Sequence, residues 1–128
     1  MRSEEDALAR ARVLNLVDAR ARGVSSELLR PELQRHGLGI HLTEQEARWL
    51  TEEEEPVEAD DPQAAMKAIA WALRITGSLD GDVEAIRDAL DALTPSIALR
   101  EEAVIRSQLA LATGSAQAAL HWVLGSRS

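Results

Sequence analysis

The chain has 128 residues and no cysteine, long enough for one domain without covalent staples, and the lack of thiols excludes disulfides, thiolate catalysis and Cys-ligated zinc or iron–sulfur sites. Its formal charge of −8 is local: residues 52–61 hold seven of the 22 acids and no base, leaving 15 acids against 14 bases elsewhere. With no basic stripe, the electrostatic footprint for phosphate backbones and anionic membranes is missing, so neither nucleic-acid binding nor membrane docking is expected.

No period-two alternation is sustained and β-branched residues are few, which predicts an all-α fold. The expectation is one compact domain over 1–128, with six to seven short-to-medium helices in an orthogonal or bundle-like arrangement. The first helix is predicted from Glu4 to Arg22: Leu8, Ala11, Leu14, Val17 and Ala21 recur every three or four positions, Val13 and Leu16 widen the stripe, and Gly23 stops it. Ser25 and Ser26 can cap a second segment through Leu28, Leu29 and Leu33, where Pro31 predicts two turns separated by a kink before Gly37. Thr43 with Glu46 three residues later reads as a capping box, opening a third helix from Glu44 to Glu54.

The acidic stretch from Glu53 to Asp60 reads as a mobile loop. Asp61-Pro62 then supplies an N-cap and a proline at the first helical position, opening a fourth helix to Thr76. From Ala64 to Ile75 it is apolar almost all round, with Gln63, Lys67 and Arg74 marking a narrow polar strip, so the Ala64 to Thr76 helix is predicted to be central. Val83, Ile86, Leu90 and Leu93 mark a fifth, amphipathic helix with Glu84, Arg87, Asp88 and Asp91 on its outer face. Thr94-Pro95 repeats the cap-plus-proline signal for a sixth, through Ile97, Ile105, Leu109 and Ala112. After Thr113-Gly114-Ser115 a short seventh carries Leu120, Trp122 and Val123 to Gly125. With no Phe or Tyr, only Trp49, Trp71 and Trp122 offer large rings. The expected core is Leu14, Val17, Leu50, Ile69, Trp71, Leu73, Leu90, Ile105, Leu109, Leu120 and Trp122.

Chemistry-bearing patterns are sparse. His36 and His41 flank two glycines and, with Glu32 or Glu44, compose the most concrete enzymatic alternative, a metal-assisted hydrolase, although no His-Glu-x-x-His motif supports it. His121 precedes Trp122 and reads as a neutral, hydrogen-bonded histidine at the core edge, and Ser115 reads as an N-cap rather than a nucleophile. Asp80-Gly81-Asp82-Val83-Glu84 echoes a calcium loop but has Ala85 where glycine is required, so an acid-rich helix start explains it better. The outline of a DNA-reading helix pair from Leu28 to Leu50 is contradicted by Glu44, Glu46 and the acids that follow. An acidic N-terminus and the lack of a long apolar run predict a soluble, cytoplasmic protein. The leading expectation is therefore a non-catalytic module that binds a protein partner or itself, without cofactor or metal. Its candidate surface is Glu52, Glu53, Glu54, Glu55, Glu58, Asp60 and Asp61 with an adjoining apolar groove.

Four stretches carry a family resemblance. They are Arg10-Ala11-Arg12-Val13-Leu14, against R-A-x-x-L; Gly37-Leu38 with Leu42-Thr43-Glu44-Gln45-Glu46-Ala47-Arg48-Trp49-Leu50, against G-L and L-T-x-x-E-x-x-x-L; Ala64 to Arg74, against E-A-L-x-x-L-L-W-A-L-G; and Ser115 to Trp122, against E-R-x-x-A-L-N-W. In these the chain resembles an uncharacterised bacterial family, the domain of unknown function "forty-two seventy-two". It departs at Ala64, Arg74, Ser115, Ala116 and His121, where the pattern has Glu, Gly, Glu, Arg and Asn. The resemblance implies a helical fold and no particular activity, and if those polar positions form a family site, this chain has lost it.

Overall fold

Residues 1–52 and 61–125 are described by the computed structural model, and among them the fold is all-α with no strand. The helices are α1 (Glu4–Ala21), α2 (Ser26–Arg35), α3 (Glu44–Thr51), α4 (Pro62–Ala72), α5 (Val83–Asp91), α6 (Glu102–Leu109) and α7 (Gly114–Leu124), with a 3-10 turn at Leu38–His41. None of them is long and apolar enough to cross a membrane. The expected mobile loop from Glu53 to Asp60 lies outside the described residues.

The capping signals act as their chemistry dictates. Ser3 accepts from the Asp6 N–H, Asp61 from Ala64 and Asp82 from Glu84. Thr43 and Glu46 close a reciprocal capping box on α3. At the end of α1, Gly23 N–H donates to Arg20 and Val24 N–H to the Ala19 carbonyl, with Gly23 at φ 99°; this is a Schellman motif with glycine in its left-handed position.

Helix α1 is buried over a wide arc and separates two apolar clusters. Ala7, Ala11 and Leu14 face α4 and α7, while Ala9, Val13, Leu16 and Val17 face α2, α3 and the 3-10 turn. Helix α4 is central, as expected, packing on both α1 and α7. Ala68, Ala70 and Ala72 are fully buried on it and let neighbouring backbones approach, with Ile69 and Trp71 filling the space between.

Several expectations are corrected. Helix α4 stops at Ala72 rather than Thr76, because Arg74 takes a left-handed φ of 61° and a second Schellman motif forms, Arg74 N–H to Trp71 and Ile75 N–H to Ala70. The sixth helix begins at Glu102, not at Thr94-Pro95. Residues 95–100 are instead irregular and serve the end of α4: Ala98 N–H donates to the Leu73 carbonyl (3.2 Å) and Arg100 N–H to that of Ala72 (2.8 Å). The Arg100 guanidinium donates to the carbonyls of Trp71 (2.7 Å) and Thr76 (2.9 Å) and lies 4.7 Å from the Trp71 ring centroid. Proline at 95 suits such a segment because its nitrogen is asked for no hydrogen bond.

Pro31 does not divide α2, which runs on through it. Both Pro31 and Glu27, the residue whose carbonyl loses its helical partner, are exposed, so water can satisfy that carbonyl. Leu28 and Leu93 point outward, 70% and 63% exposed. In the expected core, Leu109 and Trp122 are only half-buried against its edge, and the other nine are buried. Leu109 sits on α6, whose helical packing is mainly on α7, while Trp122 has another role described below.

Candidate functional site

Where α1, α3, α4 and α7 meet, a cavity of about 280 Å³ remains between the two clusters. Its apolar wall is Leu14, Val17 and Ala21 from α1, Trp49 from α3, Pro62, Ala65 and Ile69 from α4, and Ala118, Ala119 and Trp122 from α7. Trp122 is half-buried because it stands at this cavity; Arg2 lies 4.8 Å from its ring centroid and donates to its carbonyl (3.1 Å). Arg2 N–H also bonds the Val123 carbonyl at 2.8 Å, pinning the start of the chain to α7.

Four polar residues complete the lining: Arg10, Glu46, Asp61 and Ser115. Glu46 is buried, and its Oε1 accepts from Arg10 Nη1 (2.7 Å) and from the Thr43 backbone N–H (3.0 Å). Burial by itself would raise this carboxyl, but the hydrogen bonds from Arg10 and Thr43 and the Arg10 charge outweigh it and hold it below its ordinary value. Glu46 is therefore a fixed anion at neutral pH, matched in charge by Arg10. Sequence reading assigned Glu46 to the capping box and missed its bond to Arg10, because that bond joins residues 36 positions apart.

Asp61 and Ser115 are joined across the mouth. Ser115 is not the N-cap of α7; Thr113 holds that place, and Ser115 Oγ instead accepts from the Asp61 backbone N–H at 2.9 Å. Asp61 closes the acidic run in the sequence and, of the two described members of the expected binding surface, Glu52 and Asp61, is the one that lines the cavity. Glu52 is exposed at the C-terminal cap of α3, three residues beyond Trp49. Glu53, Glu54, Glu55, Glu58 and Asp60 lie outside the described residues.

The histidines are elsewhere. His36 caps the C-terminus of α2, with Glu32 3.6 Å away, and the group that gathers around it is Glu32, His36 and Asp91, without His41 or Glu44. Arg35 already sits on these carboxylates, 2.8 Å from Asp91 and 4.0 Å from Glu32. Burial first, then the charges of Arg12 and Arg35, hold His36 below its ordinary pKa. Arg12 in turn donates to the carbonyls of Leu90 (3.0 Å) and Ala92 (2.6 Å). The cluster is thus an arginine-bound joint between α1, α2 and α5, with a cation already placed where a metal would have to bind. His121 lies at the core edge, but its buried Nδ1 has no hydrogen-bond partner among the described residues, contrary to the expected bond. Of the calcium echo, Asp82 caps α5 and Asp80 is exposed, 3.8 Å from Lys67.

Among the described lining residues there is no histidine, and the Ser115 hydroxyl already accepts a hydrogen bond. The described lining is an apolar pocket with a fixed ion pair, Arg10 with Glu46, and one exposed carboxylate, Asp61. Compared with known protein families, curated proteins and solved structures, the chain matches none of them.

Proposed function

We propose that the protein is a small cytoplasmic, non-catalytic interaction module that docks a basic segment of a protein partner along its acidic edge. One observation carries this reading: the cavity is lined by Asp61, the last of seven acids in residues 52–61, and its other described titratable groups are an ion pair already closed on itself. An acidic rim draws a cationic partner and sets its orientation, while apolar walls supply affinity. The resemblance to the uncharacterised bacterial family belongs to the same proposal, since its matched positions Arg10, Leu14, Glu46, Ala65, Ala119 and Trp122 line this cavity.

The test uses a labelled, lysine-rich amphipathic peptide and fluorescence anisotropy, with wild type and a variant in which Glu52, Glu53, Glu54 and Glu55 become Gln. Binding is expected to weaken in the variant and with added salt, because exposed charges are screened within roughly 8–10 Å at 0.1–0.15 M. Equal affinity under all these conditions overturns the proposal.

A further inference from the structure

We propose that the cavity is itself a binding site for a small uncharged aromatic molecule of one or two rings, held against the indoles of Trp49 and Trp122. This goes beyond the docking reading and does not rest on it. Protein interiors are close-packed, with few voids larger than a single water, whose share of liquid volume is roughly 30 Å³. At about 280 Å³ this space is close to the roughly 300–1,000 Å³ of small-molecule sites, and well above the roughly 150 Å³ at which an apolar cavity already accepts benzene.

Charge and hydrogen bonding decide what enters. Arg10, with Arg2 stacked on Trp122, stands against Glu46 and Asp61, so among the described residues neither sign is in surplus and neither a cation nor an anion is selected. The polar groups of the lining are also engaged. Glu46 Oε1 accepts from Arg10 and Thr43, Asp61 Oδ1 accepts from the Ala64 N–H at 3.0 Å, and Ser115 Oγ accepts from the Asp61 N–H. Trp49 Nε1 is buried, so the part of this half-buried ring that reaches the cavity is carbon. Ten of the fourteen described lining residues are apolar. Water in such a space finds few partners, and an apolar molecule that displaces it gains affinity. The two indoles set the shape, since ring faces prefer offset or edge-on contact with another ring.

Three compounds built on one ring system test the site: naphthalene, 2-naphthoate and 2-naphthylmethylammonium. Each is titrated into nitrogen-15-labelled protein and followed at the indole N–H signals of Trp49, Trp71 and Trp122, assigned by single Trp→Phe variants. Trp71 is the internal control, because it is packed in the core against Arg100 and does not line the cavity. Naphthalene is expected to shift the Trp49 and Trp122 signals saturably and Trp71 far less, and to bind about tenfold or more tightly than either ion. Ala118 is exposed on α7 yet lines the cavity, so Ala118→Phe fills the space from its rim with little demand on the core. It should weaken naphthalene about tenfold or more with an unchanged melting curve. If Ala118→Phe fails to fold, Ala118→Leu replaces it, with a severalfold weakening expected. No saturable shift, equal binding of either ion, an equal shift at Trp71, or an affinity that survives the filled cavity overturns the inference. Peptide binding that ignores salt and the glutamate substitutions would overturn the docking reading and leave this one intact.

Discussion

On one side of α1, Ala7, Ala11 and Leu14 meet an alanine-rich helix and a buried indole; on the other, Ala9, Val13, Leu16 and Val17 meet Leu29, Leu33, Leu38 and Leu50, with no aromatic ring among the buried residues. The first side is closed by backbone and stacking, with residues 95–100 and Arg100 covering the end of α4. The second is closed by charge. Arg10 bonds Glu46 and Arg20 donates to the Trp49 carbonyl (3.1 Å), both tying α3 to α1. A short helix such as α3, eight residues long, has too little apolar face to fix its own position, and directional ion pairs supply what packing does not. The cavity is the seam between these two constructions, with Leu14 and Ile69 from one and Val17 and Trp49 from the other.

The largest effects should come from emptying each side in turn. Trp71→Ala removes the ring on which Arg100 stacks and is expected to cost about 3–5 kcal/mol; Leu50→Ala, fully buried opposite it, about 2–5 kcal/mol. Urea denaturation followed by both tryptophan fluorescence and far-UV circular dichroism checks more than the size of the loss. Because α1 contributes to both clusters, the two signals should shift together in each variant. Separate transitions in Leu50→Ala would mean that the charge-closed side is an independent unit.

A smaller effect probes how that side is closed. Glu46→Gln keeps the shape and some hydrogen bonding but loses the ion pair, and should cost about 1–3 kcal/mol near neutral pH; Arg10, 24% exposed, can recover part of its hydration. The pH dependence fixes the cause. Since the folded-state carboxyl titrates below its ordinary value of 4.5, the stability it contributes is complete above that value and is lost as pH falls through the lower folded value. The gap between wild type and Glu46→Gln, measured by urea midpoints, should therefore close below pH 4.5. A constant gap down to strong acid would assign the loss to packing alone.

Local signals were legible wherever one turn of chain contains both partners. Thr43 with Glu46, Asp61 with Pro62 and Gly23 at the end of α1 act as short-range chemistry predicts, and these starts and stops, with apolar periodicity, suffice for the all-α class. Long-range demand overrode the rest. Thr94-Pro95 carries a sound helix-start signal, yet the residues after it are drawn into capping a helix about 25 positions earlier, which no local window contains. The cavity was invisible for the same reason: its walls come from four helices, and its two polar links join Arg10 to Glu46 and Asp61 to Ser115. Only the run of charge that ends at Asp61 is visible in the sequence, and the apolar groove expected beside it carries no residues there.

The smallest effect compares the two Schellman ends. Both α1 and α4 finish with the same pair of hydrogen bonds, but the left-handed position holds Gly23 in one and Arg74 in the other, the one non-glycine residue at positive φ among those described. A residue with a Cβ pays about 1–2 kcal/mol for the left-handed conformation, whereas glycine adds roughly 0.5–1 kcal/mol of chain entropy to the unfolded state. Arg74 is exposed, so its side chain buries little that would be lost. Arg74→Gly should therefore stabilise the fold by up to about 1 kcal/mol, raising Tm by a few degrees. Arg74→Ala separates conformation from side chain: it keeps the Cβ and should leave Tm near wild type. A loss of stability in Arg74→Gly matched by the same loss in Arg74→Ala would show that the arginine side chain, rather than its backbone angle, governs how α4 ends.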